Sequence, residues 1–385
     1  MNKHIRSAGA LLLVLTLALA AAACGTTDQI DPQTGDSTPE LDPETETEAI
    51  LSLEERLRGI HETVSPSVVN IQVMGPIPGS PGQQGPVGNG SGFVWDSEGH
   101  IVTNEHVVAD AADLVVTFSD GAVVGAEVVG EDRDSDLAVI RVESLPDGVE
   151  PVELADFEEV GVGQIAVAIG NPFGLDGTMT QGIVSALGRM LPVRAESPDG
   201  GSYSIPDVVQ TDASINPGNS GGVLVDINGQ LIGVPSAMIS DGFGSSGIGF
   251  AIPAAIVQQV VPVLIENGEY QHPWLGVEIA TVTRAIAEAL DLPDDQRGAL
   301  VTRVTDGSPA DEAGLQGGEE TQTINGLELL IGGDIITEID GNEVRDTSEL
   351  ITYQVRNTQV GDTVTLTILR DGESQALDVI MGVRP

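Results

Sequence analysis

The sequence predicts a mainly-β protein. Short antiparallel strands suited to paired barrels come first, and a smaller domain mixing strands and helices follows. Three observations carry this. Between Gly92 and Ile252 short apolar segments recur at turn-like spacing, several alternate apolar with polar residues, and few helical stretches intervene. Glycine is abundant at 48 residues, while aromatics are only 3%, so the core has to rest on Val, Ile, Leu and Ala. The pattern stops at Asn267-Gly268 and restarts at Pro273. A length of 385 residues accommodates two domains with sizeable cores.

Residues 1–23 read as a signal peptide, with Lys3 and Arg6 ahead of an apolar run from Ala8 to Ala23. The run is short for a membrane span. Cys24 is the only cysteine, which excludes an intrachain disulfide. It follows Ala21-Ala22-Ala23 and resembles a bacterial lipoprotein processing site, although Ala21 replaces the usual leucine. Lipidation at Cys24, ordinary cleavage near Ala23 and an uncleaved anchor all put the remainder outside the cytoplasm. Residues 24–52 are rich in Thr, Pro, Asp and Glu and bury too little apolar surface to order themselves, so an acidic flexible tether is expected.

Leu53, Leu57 and Ile60 then recur at helical spacing, with Ser52 and Glu55 as a capping box. Ser67–Val73 reads as the first strand and Met74–Asn89 as a Gly/Pro loop. Further strands are expected at Leu114–Phe118, Val123–Val129, Ala138–Val142, Gln164–Ile169 and Gln230–Val234. Ile256, Val260, Val263 and Leu264 mark a helix over Pro253–Glu266, stopped by Asn267-Gly268. The two main domains are expected at residues 53–268 and 272–384.

The net charge of −44, with Lys3 the one lysine, argues against nucleic acid or anionic lipid as the main partner, since both require basic patches. The acidity fits a saline habitat, or equally a genome that favours Arg over Lys. The sequence has no metal-ligand cluster and no phosphate loop, so neither a metal nor another cofactor is implied.

The chemistry centres on Asp212-Ala213-Ser214-Ile215-Asn216-Pro217-Gly218-Asn219-Ser220-Gly221-Gly222. Gly218 and Gly221 permit a sharp turn that exposes the Ser220 hydroxyl and aims backbone N–H groups at one point. Taken alone, the stretch reads as an ordinary Asn-Pro-Gly-Asn turn between two strands, which is what most such stretches are. A serine nucleophile needs a base and an orienting acid. Among five histidines, His106 in Thr103-Asn104-Glu105-His106-Val107-Val108 follows a strand-like run, and Asp136 lies at the mouth of another strand in Asp134-Ser135-Asp136-Leu137-Ala138-Val139. The order His, Asp, Ser is that of chymotrypsin rather than of subtilisin or the α/β-hydrolases.

These three motifs, together with Gly247-Ile248-Gly249-Phe250-Ala251-Ile252-Pro253, resemble the signatures of the HtrA/Deg family of serine proteases, in order and spacing from about Leu53 to the C-terminus. The resemblance implies two six-stranded antiparallel chymotrypsin-like β-barrels followed by a small α+β PDZ domain. His106, Asp136 and Ser220 would be the catalytic triad. The N–H groups of Gly218 and Ser220, with Asn219, would form the oxyanion hole. Trp274-Leu275-Gly276-Val277, Ser308–Leu315 and Gly333–Gly341 carry the PDZ resemblance. In that domain the loop Trp274–Gly276 would hold a peptide carboxylate, and the peptide would add as a strand beside Val277–Ala280. Gln316–Leu330 is longer than most PDZ domains have there.

The family further implies a homotrimer, because Met74–Asn89 is short as in its trimeric members, and a loop at Leu187–Pro206 that senses the PDZ domain and orders the oxyanion turn. The expected activity is ATP-independent endoproteolysis of unfolded or damaged exported proteins. The rivals are cleavage of one signalling substrate and a non-catalytic binding or chaperone module. Val223 stands where the family commonly has Pro or Ala, with little expected effect. Pro235 stands where it usually has Asn, and proline has no N–H to offer a substrate backbone. If that donor matters, Pro235→Asn raises turnover; unchanged turnover dismisses the concern.

Overall fold

The computed structural model describes residues 43–77, 83–109, 111–172, 174, 177–196, 202–238 and 247–385. The leader, Cys24, most of the expected tether and most of residues 240–247 lie outside these residues.

Helix α1 (Pro43–Val64) leads into the first barrel. Its strands are β1 (Val68–Pro76), β2 (Gln84–Val94), β3 (His100–Thr103), β4 (Asp113–Thr117), β5 (Val123–Asp132) and β6 (Leu137–Val142). They close antiparallel in the order β1-β2-β3-β6-β5-β4. One-turn helix α2 (Glu105–Val108) lies between β3 and β4. The second barrel comprises β7 (Ile165–Gly170), β8 (Thr178–Glu196), β9 (Ser202–Thr211), β10 (Val223–Val225), β11 (Leu231–Met238) and β12 (Gly249–Pro253), closed as β10-β11-β12-β9-β8-β7. Helix α3 (Ala254–Asn267) follows and is capped by Gly268 in the left-handed region at φ 81°.

Period-two alternation sorts the apolar residues to two cores. Val69, Ile71, Ile101, Val116 and Ile140 belong to the core of the first barrel. Val68, Phe93, Val102 and Val139 join Val167, Ile169, Val223 and residues of α3 in a core shared by the two barrels. Both faces of these strands are therefore buried, which locks the barrels together along the seam where the site lies.

Three expectations need correction. Helix α1 starts at Pro43, inside the supposed tether, so Ser52 is interior and forms no capping box. The stretch is free of glycine before Gly59 and rich in Glu and Leu, with Pro43 tolerated in the first turn. Most of Met74–Asn89 is strand, because β1 and β2 stay paired out to Pro76 and Gln84 past a bulge at Val73/Met74. Leu187–Pro206 is likewise built largely into the β8–β9 hairpin, whose four register shifts accommodate Gly188, Pro192 and Pro206.

The second domain contains β13 (Pro273–Trp274), β14 (Val277–Thr281), α4 (Arg284–Ala289), β15 (Ala299–Val304), α5 (Pro309–Glu312), β16 (Glu320–Ile324), β17 (Leu327–Ile331), β18 (Ile335–Ile339), β19 (Asn342–Glu343), α6 (Thr347–Asn357), β20 (Thr363–Arg370), β21 (Glu373–Ile380) and β22 (Gly382–Val383). The main sheet runs β14-β15-β18-β20-β21, with β19 beside β18. The stretch Gln316–Leu330 forms the β16–β17 hairpin. β13 pairs with β22, so the linker and the chain end meet. Helix α6 packs on β8 and β9 of the second barrel. There Arg356 Nη2 donates to the fully buried carboxylate of Asp207 at 2.8 Å.

Candidate active site

His106 owes its position to the break between β3 and α2. Asn104 is extended at φ −78°, ψ 147°, and its buried side chain donates to the Asp136 carbonyl at 2.9 Å. Val107 and Val108 bury the inner face of α2, and a Cβ on Gly90 would sit 2.6 Å from Val107. The outer face leaves the His106 side chain 48% exposed.

Asp136 sits in the turn between β5 and β6 at φ 55°, a left-handed conformation that Asp tolerates better than most residues. Its Oδ1 accepts from His106 Nδ1 at 2.8 Å and from the His106 backbone N–H at 3.2 Å. Its Oδ2 accepts from Nδ1 at 3.0 Å and from the Ser236 hydroxyl. With a carboxylate opposite, Nδ1 carries the proton and Nε2 keeps a free lone pair. Burial lowers the His106 pKa, but the Asp136 hydrogen bond and charge, helped by Glu105, outweigh it and hold the ring above the ordinary histidine range. Burial also lifts the Glu105 carboxyl, as do the charges of Asp136 and Glu131.

Ser220 sits at a turn whose first glycine, Gly218, has φ 96°. A Cβ at Gly218 would strike Pro172, and one at Gly221 would strike the Ser91 carbonyl and Thr103 Oγ1. Both positions therefore demand glycine. The carbonyls of the turn point inward: Gly218 O accepts from Ser91 Oγ at 2.6 Å and Ser220 O from the Ser91 N–H at 2.8 Å. Among the described residues the N–H groups of Gly218 and Ser220 have no partner. Asn219 differs from the expectation, because its N–H closes the turn on the Asn216 carbonyl at 2.9 Å and is not free to receive an anion. Ser220 Oγ donates to the Ser236 carbonyl at 3.3 Å, on the side of the Asp136–His106 pair. Pro235 is buried, and its carbonyl accepts the Gly221 N–H at 3.0 Å, a role that needs no N–H.

In the second domain, Trp274 lies in β13 and Leu275 and Gly276 turn the chain into β14, which starts at Val277. Gly276 has φ 85°, and a Cβ there would strike Ser308. The Leu275 carbonyl accepts from Ala310 and the Gly276 carbonyl from Thr305, both at 2.9 Å. The Leu275 and Gly276 N–H groups have no partner among the described residues. A cavity of about 380 Å³ opens here, lined by Leu275, Val277, Ile279 and Leu350 on one side and by Asp134, Ser135 and Ile205 on the other. It thus faces the turn that carries Asp136. The same turn is tied to the linker, where His272 Nε2 lies 2.9 Å from both Asp132 oxygens. Arg384 pairs with Asp134 at 3.0 Å.

Sequence reasoning found His106, Asp136, Ser220 and the Gly218 turn, and the structure brings them together. It assigned nothing to Asn104, Ser236 or Ser91. Asn104 stood inside the His106 motif and was within reach, whereas the other two are serines in ordinary strands.

Comparison with known proteins agrees with this geometry. A trypsin-like peptidase domain matches residues 90–234 and a PDZ domain matches residues 273–381. The chain is 40% identical over 301 residues to Protease Do-like 1, chloroplastic, of Arabidopsis thaliana, covering 78% of this chain and 65% of that one. It is 38% identical over 305 residues to the probable periplasmic serine endoprotease DegP-like of Brucella suis, covering 79% and 54%. It therefore spans between about half and two thirds of the length of these curated relatives. Among solved structures, the HtrA-type protease AlgW with decapeptide superposes at TM-score 0.65 and 34% identity, over 85% of this chain and 98% of that one. A serine endoprotease from Yersinia pestis does so at TM-score 0.57 and 27% identity, over 86% and 98%. Two closed barrels, a His–Asp pair beside a glycine-bounded serine, and this coverage establish that the chain belongs to the HtrA family of trypsin-like serine proteases carrying a PDZ domain.

Proposed function

We propose that the protein is an ATP-independent serine endopeptidase. The observation that carries this is the His106–Asp136 pair set beside a turn whose Gly218 and Ser220 N–H groups have no partner among the described residues. In the reaction the Ser220 hydroxyl leaves the Ser236 carbonyl and gives its proton to His106 Nε2 as Oγ attacks a peptide carbonyl. Apo hydrogen bonds of this kind commonly tighten only with substrate. The tetrahedral oxyanion is held by the Gly218 and Ser220 N–H groups, each typically worth roughly 3–4 kcal/mol. His106 returns the proton to the leaving amine, and water, activated by the same ring, releases the acyl group. Asp136 fixes the tautomer and stabilises the imidazolium, and the Ser236 hydroxyl and Asn104 fix Asp136.

The substrates proposed are unfolded or damaged exported proteins. The leader-like N-terminus and the periplasmic naming of relatives support export, and anchoring through Cys24 and a homotrimer belong to the same reading. Regulation by peptide C-termini is supported by the cavity at Leu275–Val277, because its far wall includes Asp134 and Ser135, next to Asp136. A second link is the Arg356–Asp207 pair. Burial raises the Asp207 carboxyl, while Arg356 pulls it down. β9, which carries Asp207, runs directly toward the oxyanion turn.

The test is cleavage of a reduced, unfolded model protein with and without C-terminal peptides. The expected result is cleavage abolished by Ser220→Ala and stimulated by apolar C-terminal peptides. No cleavage by the folded wild type would instead favour a binding module. The pH profile follows from the raised His106. The neutral ring that accepts the Ser220 proton forms only as pH rises through that raised value, so the acid limb of kcat/KM should lie above the ordinary histidine range. Asp136→Asn should move the limb down and cut kcat on the order of ten-thousand-fold. A limb at or below the ordinary range in the wild type would contradict the assignment. Arg356→Ala should strand a buried carboxylate, cost about 3 kcal/mol in thermal or urea unfolding, and shrink the ratio of peptide-stimulated to peptide-free cleavage. An unchanged ratio would leave the β8–β9 hairpin without a regulatory part.

A further inference from the structure

We propose that Ser91 is a positioning residue for the oxyanion turn: from the first barrel, its hydroxyl and its backbone N–H hold the two peptide units that flank the Ser220 N–H. The inference rests on the endopeptidase reading above and names a residue that reading does not use.

Four successive peptide units make up the turn. The unit between Gly218 and Asn219 is fixed at both ends, its carbonyl by Ser91 Oγ at 2.6 Å and its N–H by the Asn216 carbonyl at 2.9 Å. The unit between Ser220 and Gly221 is also fixed at both ends, its carbonyl by the Ser91 N–H at 2.8 Å and its N–H by the Pro235 carbonyl at 3.0 Å. Between them, the Asn219 carbonyl is taken by the Gly222 N–H at 2.9 Å, and the Ser220 N–H is left over. Ahead of them the Gly218 N–H is left over. One residue of β2 thus grips both flanking units, and the free N–H groups belong to the units it leaves alone.

The Ser91 hydroxyl has a single proton, and its direction is determined. Its oxygen accepts the Asn171 N–H at 2.7 Å, so the proton goes to Gly218 O. The Ser91 carbonyl accepts Thr103 Oγ1 at 2.7 Å, one residue before Asn104. Ser91 is fully buried, so no water stands ready to replace it. Gly218, at φ 96° and without a Cβ, has little stiffness of its own against rotation. Without the hydroxyl, the 218–219 unit is held only through the Asn219 N–H, and the Gly218 N–H loses its fixed direction. Catalysis depends on donors aimed in advance at the developing charge, so the loss should fall on the transition state.

The experiment compares wild type, Ser91→Ala, Ser91→Thr and the near-isosteric Ser91→Cys. It measures kcat and KM on a peptide substrate, the inhibition constant of a peptidyl boronate, and the unfolding midpoint. Ser91→Ala is expected to lower kcat roughly 30-fold, less than removal of an oxyanion donor outright, and to weaken the boronate by a similar factor. KM should stay within about twofold, and Ser91→Thr, which keeps the hydroxyl, should recover most of the loss. A folded Ser91→Ala enzyme with kcat and boronate affinity within about twofold of wild type would overturn the proposal. So would a loss confined to KM. If Ser91→Ala does not fold, Ser91→Cys, a weak donor of similar size, decides by the same criteria. A wild type that cleaves nothing would instead refute the endopeptidase reading on which this one rests.

Discussion

The structure depends on a contact at which no side chain fits. Gly221 meets the Ser91 carbonyl and Thr103 Oγ1 so closely that a single Cβ would clash with both. This contact joins the nucleophile turn of the second barrel to β2 and β3 of the first. Because the shared apolar core presses the barrels together, the turn can close on the first barrel only through backbone and small hydroxyl groups. Those groups are used up in holding carbonyls, and among the described residues the Gly218 and Ser220 N–H groups are left without a partner. The candidate oxyanion site is therefore what the packing leaves unpaired.

The same economy governs charge. The chain has 59 acidic and 15 basic residues, so an arginine beside a buried acid is a scarce device. Arg370 and Arg356 each meet a carboxylate with no exposure, Asp334 within the PDZ domain and Asp207 in β9. Arg384 and His272 reach the turn before Asp136. Stranding one member of such a buried pair costs far more than forming the pair is worth. The PDZ domain is thus coupled to the protease barrels at β9 and at the Asp136 turn, the two chain segments that lead into the site.

How much of this was legible in the sequence follows from where the physical signal lies. Each of the three motifs carries a local backbone demand: a glycine-bounded turn at Ser220, a break after Thr103, a tight acidic turn at Asp136. Such demands leave marks within a few residues, so the site could be read without the fold. The contributions of Ser236 and Ser91 could not, because their partners lie 100 and 127 residues away and a serine in a strand carries no mark of its contact. Composition misled at the N-terminal helix and at the β1–β2 and β8–β9 hairpins. The Thr/Glu/Pro run before Leu51 reads as tether although its glutamates favour helix, and the Gly and Pro residues of β8 and β9 read as loop although bulges accommodate them. Asn219 was misassigned because spacing alone does not tell which N–H groups of a turn point inward.

The central claim is that Ser220 is the nucleophile and that the Gly218 and Ser220 N–H groups form the anion site. A crystal structure of the protein after reaction with a peptidyl phosphonate tests it most directly. The account predicts phosphorus bonded to Ser220 Oγ, with one phosphoryl oxygen within hydrogen-bond distance of both N–H groups while Asn219 stays turned to Asn216. No adduct at Ser220, or an oxygen held by the Asn219 N–H instead, would contradict it.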